Sequence, residues 1–185
     1  MNLNNLPYYP NILLVGGNGR NVGKTTFSCA LIEHFKSLEI VAVKISPHFH
    51  DYNATKEDVL YQTEEIIIIE EHNNDTGKDS SQFLAAGASR VFFIMANDHS
   101  LQKAFNRLIE FAGIDCPMII ESAALRNVII PAQFLLLSKV ESTNPKIKIK
   151  HLLDYVDYTI NLFHNHHDFS PKNIGYINSE WRLFL

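Results

Sequence analysis

Apolar positions along the chain fall into short runs punctuated by polar and glycine-rich stretches, and their periods predict the elements. Asn11–Val15 (NILLV) reads as a short buried strand that feeds the glycine-rich stretch Gly16–Gly23. From Lys24 to about Leu38 the apolar residues Phe27, Ala30, Leu31, Ile32 and Phe35 keep a helical spacing. Ile40–Ile45 (IVAVKI) is rich in β-branched residues and reads as a second strand. Pro47–Lys78 shows no clear period, although Ile66–Ile69 within it suits a strand. Ser80–Ala88 suits a short helix with Ser80 as its N-cap, because a serine hydroxyl satisfies a first-turn amide. Val91–Met95 is a strand, and Ser100–Ala112 an amphipathic helix started around Asp98–Ser100 and stopped by Gly113. Pro117–Ile120 and Phe134–Leu137 are further strands; Leu152–Phe163 and Trp181–Leu185 stay open. Strands alternating with helices imply parallel pairing through right-handed crossovers, hence an α/β sheet covered on both faces.

Composition narrows the class. At 185 residues, 46% hydrophobic and 19% charged, the chain suits one domain with a sizeable core and is not a disordered segment. Sixteen bases against twenty acids give a net charge of −4, which argues against a general nucleic-acid binder. The longest apolar runs are far too short for a membrane span. Met1–Pro10 lacks the basic and apolar regions of a signal peptide, and Cys29 and Cys116 make no disulfide framework, so a cytoplasmic protein is expected. The negative charge is local. Between Pro47 and Asp79 lie nine acids and only two bases, Lys56 and Lys78, while the remaining chain holds 14 bases against 11 acids.

The strongest chemical signal is NILLVGGNGRNVGKTTF, residues 11–27. A strand, a glycine-rich loop and a helix opened by Gly-Lys-Thr form a phosphate-loop arrangement. Glycines let backbone amides converge on phosphate oxygens, and the helix N-terminus adds the positive end of its dipole. On this reading Gly19, Arg20, Asn21, Val22, Gly23, Lys24, Thr25 and Thr26 form the nucleotide cradle. Lys24 reaches the β- and γ-phosphates as a catalytic residue, Thr25 holds Mg²⁺, and Thr26 contacts the α-phosphate. Arg20 either helps neutralise the γ-phosphate or stays solvated. The pattern G-x-x-x-x-G-K-[ST] wants glycine at position 18, where this chain has Asn18. The earlier glycines resemble the longer loop of dethiobiotin synthetase-type enzymes. The expected fold is therefore a P-loop NTPase-like sandwich with a mostly parallel sheet, helices on both faces, and one domain over 1–185.

Two further blocks follow: Lys44, His48, His50 and Asp51 in KISPHFHD, and Gly77–Ala88 in GKDSSQFLAAGA. In this order the three blocks resemble the MobB family, GTP-binding adaptors of molybdopterin guanine dinucleotide synthesis. The resemblance covers roughly residues 12–30, 41–51, 77–95 and 118–121. It implies GTP or ATP with Mg²⁺ as cofactors, functional roles near the His48–Asp51 turn, and nucleotide contacts from Lys78, Asp79 and Ser80. It also implies catalytic and ion-binding carboxylates at Asp51 and Glu121, and a protein partner in cofactor biosynthesis. Glu121 follows an apolar strand, where a carboxylate beside a phosphate loop suits Mg²⁺ or water positioning; a plain helix N-terminal acid is the alternative. Ser122 and Ala123 replace the family's glycine after it.

The acidic insertion at about 52–76 departs from the family. Ile66–Ile69, flanked by Glu64, Glu65, Glu70 and Glu71, is either an added strand pairing across a homodimer, a flap over the nucleotide, or an edge strand. Ser138-Lys139-Val140-Glu141 sits where a guanine-reading motif belongs, but an ordinary strand end is the simpler reading. His164–Asp168 is read as a polar turn before Pro171 rather than a metal cluster. Lys146, Lys148 and Lys150 give a solvated face, and Cys29 lies in the core. Three functions stay open: a GTP-hydrolysing adaptor, an ATP-dependent synthetase or small-molecule kinase, and a nucleotide-gated interaction module.

Overall fold

The structure, a computed structural model, describes residues 3–49, 55, 58–75, 77–139, 147–163 and 166–184. In chain order the elements are β1 (Tyr8–Gly17), α1 (Lys24–His34), β2 (Val41–Ser46), β3 (Val59–Gln62), β4 (Ile66–Glu70), α2 (Asp79–Ala85) and β5 (Arg90–Ala96). They continue with α3 (Leu101–Ala112), β6 (Met118–Glu121), β7 (Ile130–Lys139), β8 (Tyr158–Phe163), β9 (His166–His167), β10 (Ile174–Ile177) and β11 (Glu180–Leu183). The main sheet runs β3-β4-β5-β2-β6-β1-β7-β8-β9, and β10 and β11 form a separate hairpin. The stretch from β5 to β8 is parallel. The edges are antiparallel: β3 and β4 on one side, β9 on the other.

Side chains on a strand alternate between faces, so each central strand serves two cores. Ile12 and Leu14 of β1 pack in the cluster that holds Leu101, Ala104, Phe105 and Leu108 of α3. That spacing is the apolar stripe of an amphipathic helix, and Gly113 at φ +87 ends it. Leu13 and Val15 belong to the opposite cluster, with Phe27, Leu31 and Ile32 of α1 and Phe83 of α2. Helices therefore cover both faces of a mostly parallel sheet, as the alternation of elements predicts.

Ile66–Ile69 is an added strand, and its four isoleucines are buried because β4 lies inside the sheet between β3 and β5. It is therefore not an edge strand, one of the three readings that its flanking acids leave open. Arg90 ties it to β5, with Nε donating to Glu70 Oε1 (2.6 Å) and a second guanidinium nitrogen to Oε2 (2.9 Å). Ser80 is not the N-cap of α2. Lys78 holds that position without a side-chain capping bond, and Ser80 Oγ donates to Glu71 Oε2 (3.0 Å) instead.

Leu152–Phe163 resolves into a 3₁₀ segment, Ile147–Tyr155, followed by β8. The C-terminal segment is β11, whose Trp181 is fully buried against Phe35 and Tyr176, with Nε1 donating to Asn11 O (2.8 Å). That indole seals the α1 face of the sheet. Trp181→Ala is expected to cost about 3–5 kcal/mol of unfolding free energy, read from urea denaturation; a loss below about 1 kcal/mol would show the hairpin to be peripheral.

Candidate functional site

Because β1, β2, β6, β7 and β8 are parallel, their C-terminal ends share one edge, the edge at which open α/β sheets bind ligands. There β1 ends at Gly17 and the chain loops over residues 18–23 before α1 resumes at Lys24. Two glycines have a definite steric reason. A Cβ on Gly17 would lie 2.6 Å from Cδ of Lys24, so the lysine stem lies directly over the loop backbone. Gly23 has φ +81, and a Cβ there would come within 2.6 Å of His167 Nε2. The other left-handed residue of the loop is Asn21 (φ 53), not Asn18. Asn18 is buried, with its amide N–H donating to Leu137 O (2.8 Å) and Nδ2 to Ser138 Oγ (3.4 Å). The first-turn amides of α1, at 24–26, have no acceptor within the helix and point their dipole at the loop.

Glu121 closes β6, in register with Val15 of β1 and Lys44 of β2. Only 5% exposed, it accepts from Thr25 Oγ1 (3.1 Å) and from Lys44 Nζ (3.4 Å). Lys44 also pairs with Asp79, the first residue of α2. Burial lowers the Lys44 pKa, the Glu121 carboxylate opposes that shift, and the Lys24 charge adds to it. Two carboxylates thus converge on one lysine ammonium beside a threonine hydroxyl. This oxygen donor set is also the kind that hard divalent cations such as Mg²⁺ take.

These groups line a cavity of about 540 Å³ together with loop residues 21–23, the first turn of α1 at 24–26, Gln82, Leu162 and His167. Of the sequence-predicted residues, Asn21, Val22, Gly23, Lys24, Thr25, Thr26, Asp79 and Glu121 come together on it. Gly19 and Arg20 belong to the loop but stand off the cavity, with Arg20 exposed. Lys78 is exposed ahead of α2, and Ser80 is turned into the fold. His48 is exposed on the turn after β2, where its backbone pairs with Ser46 Oγ. His50, Asp51, Val140 and Glu141 lie outside the described residues. Cys29 is partly buried, and burial, helped by Glu121, pushes its thiol pKa up to about 11, so it serves packing rather than nucleophilic chemistry.

Lys44 belongs to the KISPHFHD block without a role of its own there; a lysine inside the apolar run IVAVKI is its signal. By sequence His164–Asp168 is a polar turn. His166–His167 is instead β9, antiparallel to β8, with Leu162 opposite His167. The pairing brings the His167 ring edge-on to Phe27 (5.2 Å between centroids) and onto Gly23. Its Nε2 is buried with no hydrogen-bond partner among the described residues. Burial lowers the His167 pKa, with Asp168 opposing.

No protein-family model matches the chain, and no curated protein matches it in sequence. Among solved structures it is similar to LpxK from Aquifex aeolicus, crystallised in complex with ATP, with 14% identity and a TM-score of 0.50. The match covers 90% of this chain and 52% of LpxK, so the chain spans about half of that protein's length. The architecture is accordingly that of a P-loop NTPase-like α/β fold. No described helix is long and apolar enough to cross a membrane.

Gly23→Ala should lower the thermal midpoint of the ligand-free protein more than Gly77→Ala. Both positions hold a positive φ (+81 and +71) that an L side chain rarely adopts, at ~1–2 kcal/mol, but only position 23 also collides with His167, while nothing lies within 4 Å of a Cβ at Gly77. Equal losses would show that the His167 contact carries no weight.

Proposed function

We propose that this cavity binds a nucleoside triphosphate as its Mg²⁺ complex, and that the protein cleaves or transfers the γ-phosphate slowly. The observation that carries the proposal is the convergence of Lys24, Thr25, Asp79 and Glu121 on a glycine-rich loop that opens α1. The donor set fits the ion: the Thr25 hydroxyl lies 3.1 Å from a Glu121 oxygen, and the Asp79 carboxylate faces the same cavity. Thr25, Glu121 and Asp79 would hold Mg²⁺, which neutralises charge on the β- and γ-phosphate oxygens when bound. Asp51 keeps a place in that set through the family resemblance alone.

The chain's own groups do the rest. Amides of the loop and of the first turn of α1 bind phosphate oxygens, and Thr26 takes the α-phosphate. Lys24 meets the β- and γ-phosphates and stabilises charge as the terminal bond breaks. Glu121 orients the attacking group by accepting its hydrogen bond. Lys44 gives the γ-phosphate end a second cation.

Two finer readings divide on nucleotide and acceptor. A MobB-like adaptor of molybdenum cofactor biosynthesis, with GTP, a protein partner and a homodimer, is supported by the GKDS–AGA block. An ATP-dependent synthetase or small-molecule kinase is supported by the ATP bound to LpxK and by Lys44 beside the acidic pair, a placement that serves transfer to an acceptor. Lys78 and Ser80 stand off the cavity, which favours this second reading over the adaptor.

Thermal-shift measurements with ATP, GTP and their diphosphates, with and without Mg²⁺, test the proposal. Ligand at a hundred times its Kd stabilises the native state by ~2.7 kcal/mol and raises the midpoint accordingly. Lys24→Ala should abolish the shift, and Glu121→Gln should remove mainly its Mg²⁺-dependent part. If Lys24→Ala is stabilised as much as the unaltered protein, the cavity is not a phosphate-loop site. A preference for GTP supports the adaptor, and a preference for ATP supports the synthetase or kinase.

A further inference from the structure

The cavity has two ends, set by strand order. Lys44 and Glu121 stand on β2 and β6, on one side of β1, whereas Leu162 and His167 stand on β8 and β9, on the other. If the terminal phosphate lies at the Lys24–Thr25–Glu121 end, the part of the cavity lined by Leu162 and His167 is the space left for the rest of a nucleotide. Three observations describe what it meets there. The His167 ring is fixed by its strand pairing with β8, by its edge contact with Phe27 and by its seat on Gly23. Asp168 next to it is held in turn, accepting from both the backbone N–H and Nδ2 of Asn161 at 2.8 Å. Nε2 is shut away from solvent with no partner among the described residues, an environment that penalises an imidazolium and keeps the ring uncharged. The direction of its pKa shift agrees. Leu162 lies beside it, with its Cδ1 near Gly23, and adds an aliphatic surface.

From this geometry we infer that His167 and Leu162 form an apolar wall for the nucleoside half of the ligand, so that this site distinguishes a nucleotide from inorganic polyphosphate. The inference rests on the phosphate-loop reading above. An uncharged ring packed as an aromatic surface adds contact area to a base or ribose and nothing to a phosphate. Its Nε2 is buried against Gly23 rather than presented to the cavity, so what the ring offers a base is contact area, and both purines gain alike.

The test compares Mg²⁺-ATP, Mg²⁺-GTP and Mg²⁺-tripolyphosphate by calorimetric titration of the full chain. His167→Ala should weaken ATP and GTP to a similar extent, on the order of tenfold, and leave tripolyphosphate unchanged. Leu162→Ala should move the same two ligands in the same direction, which keeps the test valid if the histidine variant folds poorly. His167→Phe, which retains an aromatic ring, should retain most of the nucleotide affinity. Equal weakening of all three ligands by His167→Ala would assign the ring to the loop or the phosphates and overturn the inference. Unchanged affinity in both alanine variants would overturn it as well. Lys24→Ala separates this outcome from failure of the underlying reading, because it must weaken all three ligands if the loop binds phosphate.

Discussion

A buried carboxylate governs the architecture of the binding edge. Glu121 sits almost fully out of water, and an unpaired charge in that position is too costly to keep. Its partners therefore have to be supplied by elements distant in sequence: the Thr25 hydroxyl from the start of α1 and the Lys44 ammonium from β2. Each demand fixes something else. Parallel register with β1 and β2 on either side sets Glu121 level with Val15 and Lys44. Lys44 recruits Asp79 and with it the start of α2. One desolvated acid thus holds two helices and two neighbouring strands against the phosphate loop.

The same economy explains what becomes of the acidic stretch between Pro47 and Asp79. By composition it is a block of like charges, yet several of its described members have specific partners. Glu70 pairs with Arg90, Glu71 accepts from Ser80, Asp58 accepts from the backbone and hydroxyl of Thr55, and Asp79 pairs with Lys44. Between them runs the buried isoleucine strand β4, pinned by that Arg90–Glu70 fork. The segment's described residues 58–70 extend the sheet by an antiparallel hairpin, because four consecutive isoleucines require cover on both faces.

This distinction also separates what the sequence makes readable from what it does not. NILLV, IVAVKI and VFFIM are read directly as strands because each is short, apolar and buried on both faces of a parallel sheet. The loop from Gly16 to Thr26 is equally legible, since its pattern of glycines followed by Gly-Lys-Thr is local, although Gly16 and Gly23 answer the distant Phe134 and His167. Lys44 carries a visible signal, a charge inside an apolar run, but its role depends on a register with Glu121 that is 77 residues distant. His167 carries no usable local signal. A two-residue strand has no period to detect, and it acquires a direction only by pairing antiparallel to β8, itself placed by β7. Trp181 is similar: its burial follows from where a terminal hairpin docks, not from its neighbours in sequence.

The charge arrangement of the cavity bears on how a ligand enters it. Lys24 and Lys44 face Asp79 and Glu121, so two ammonium groups are already matched by two carboxylates. A triphosphate entering alone would place several further negative charges beside two acids in a partly desolvated cavity, where charges interact more strongly than in water. Lys44 cannot serve the phosphates fully while it neutralises Asp79 and Glu121 as well. On the proposed reading, a divalent cation held by Thr25, Asp79 and Glu121 would offset those carboxylates and leave the Lys44 charge for the terminal phosphate. The proposed Mg²⁺ dependence would thus have its cause in the balance of charges that the fold imposes on this edge.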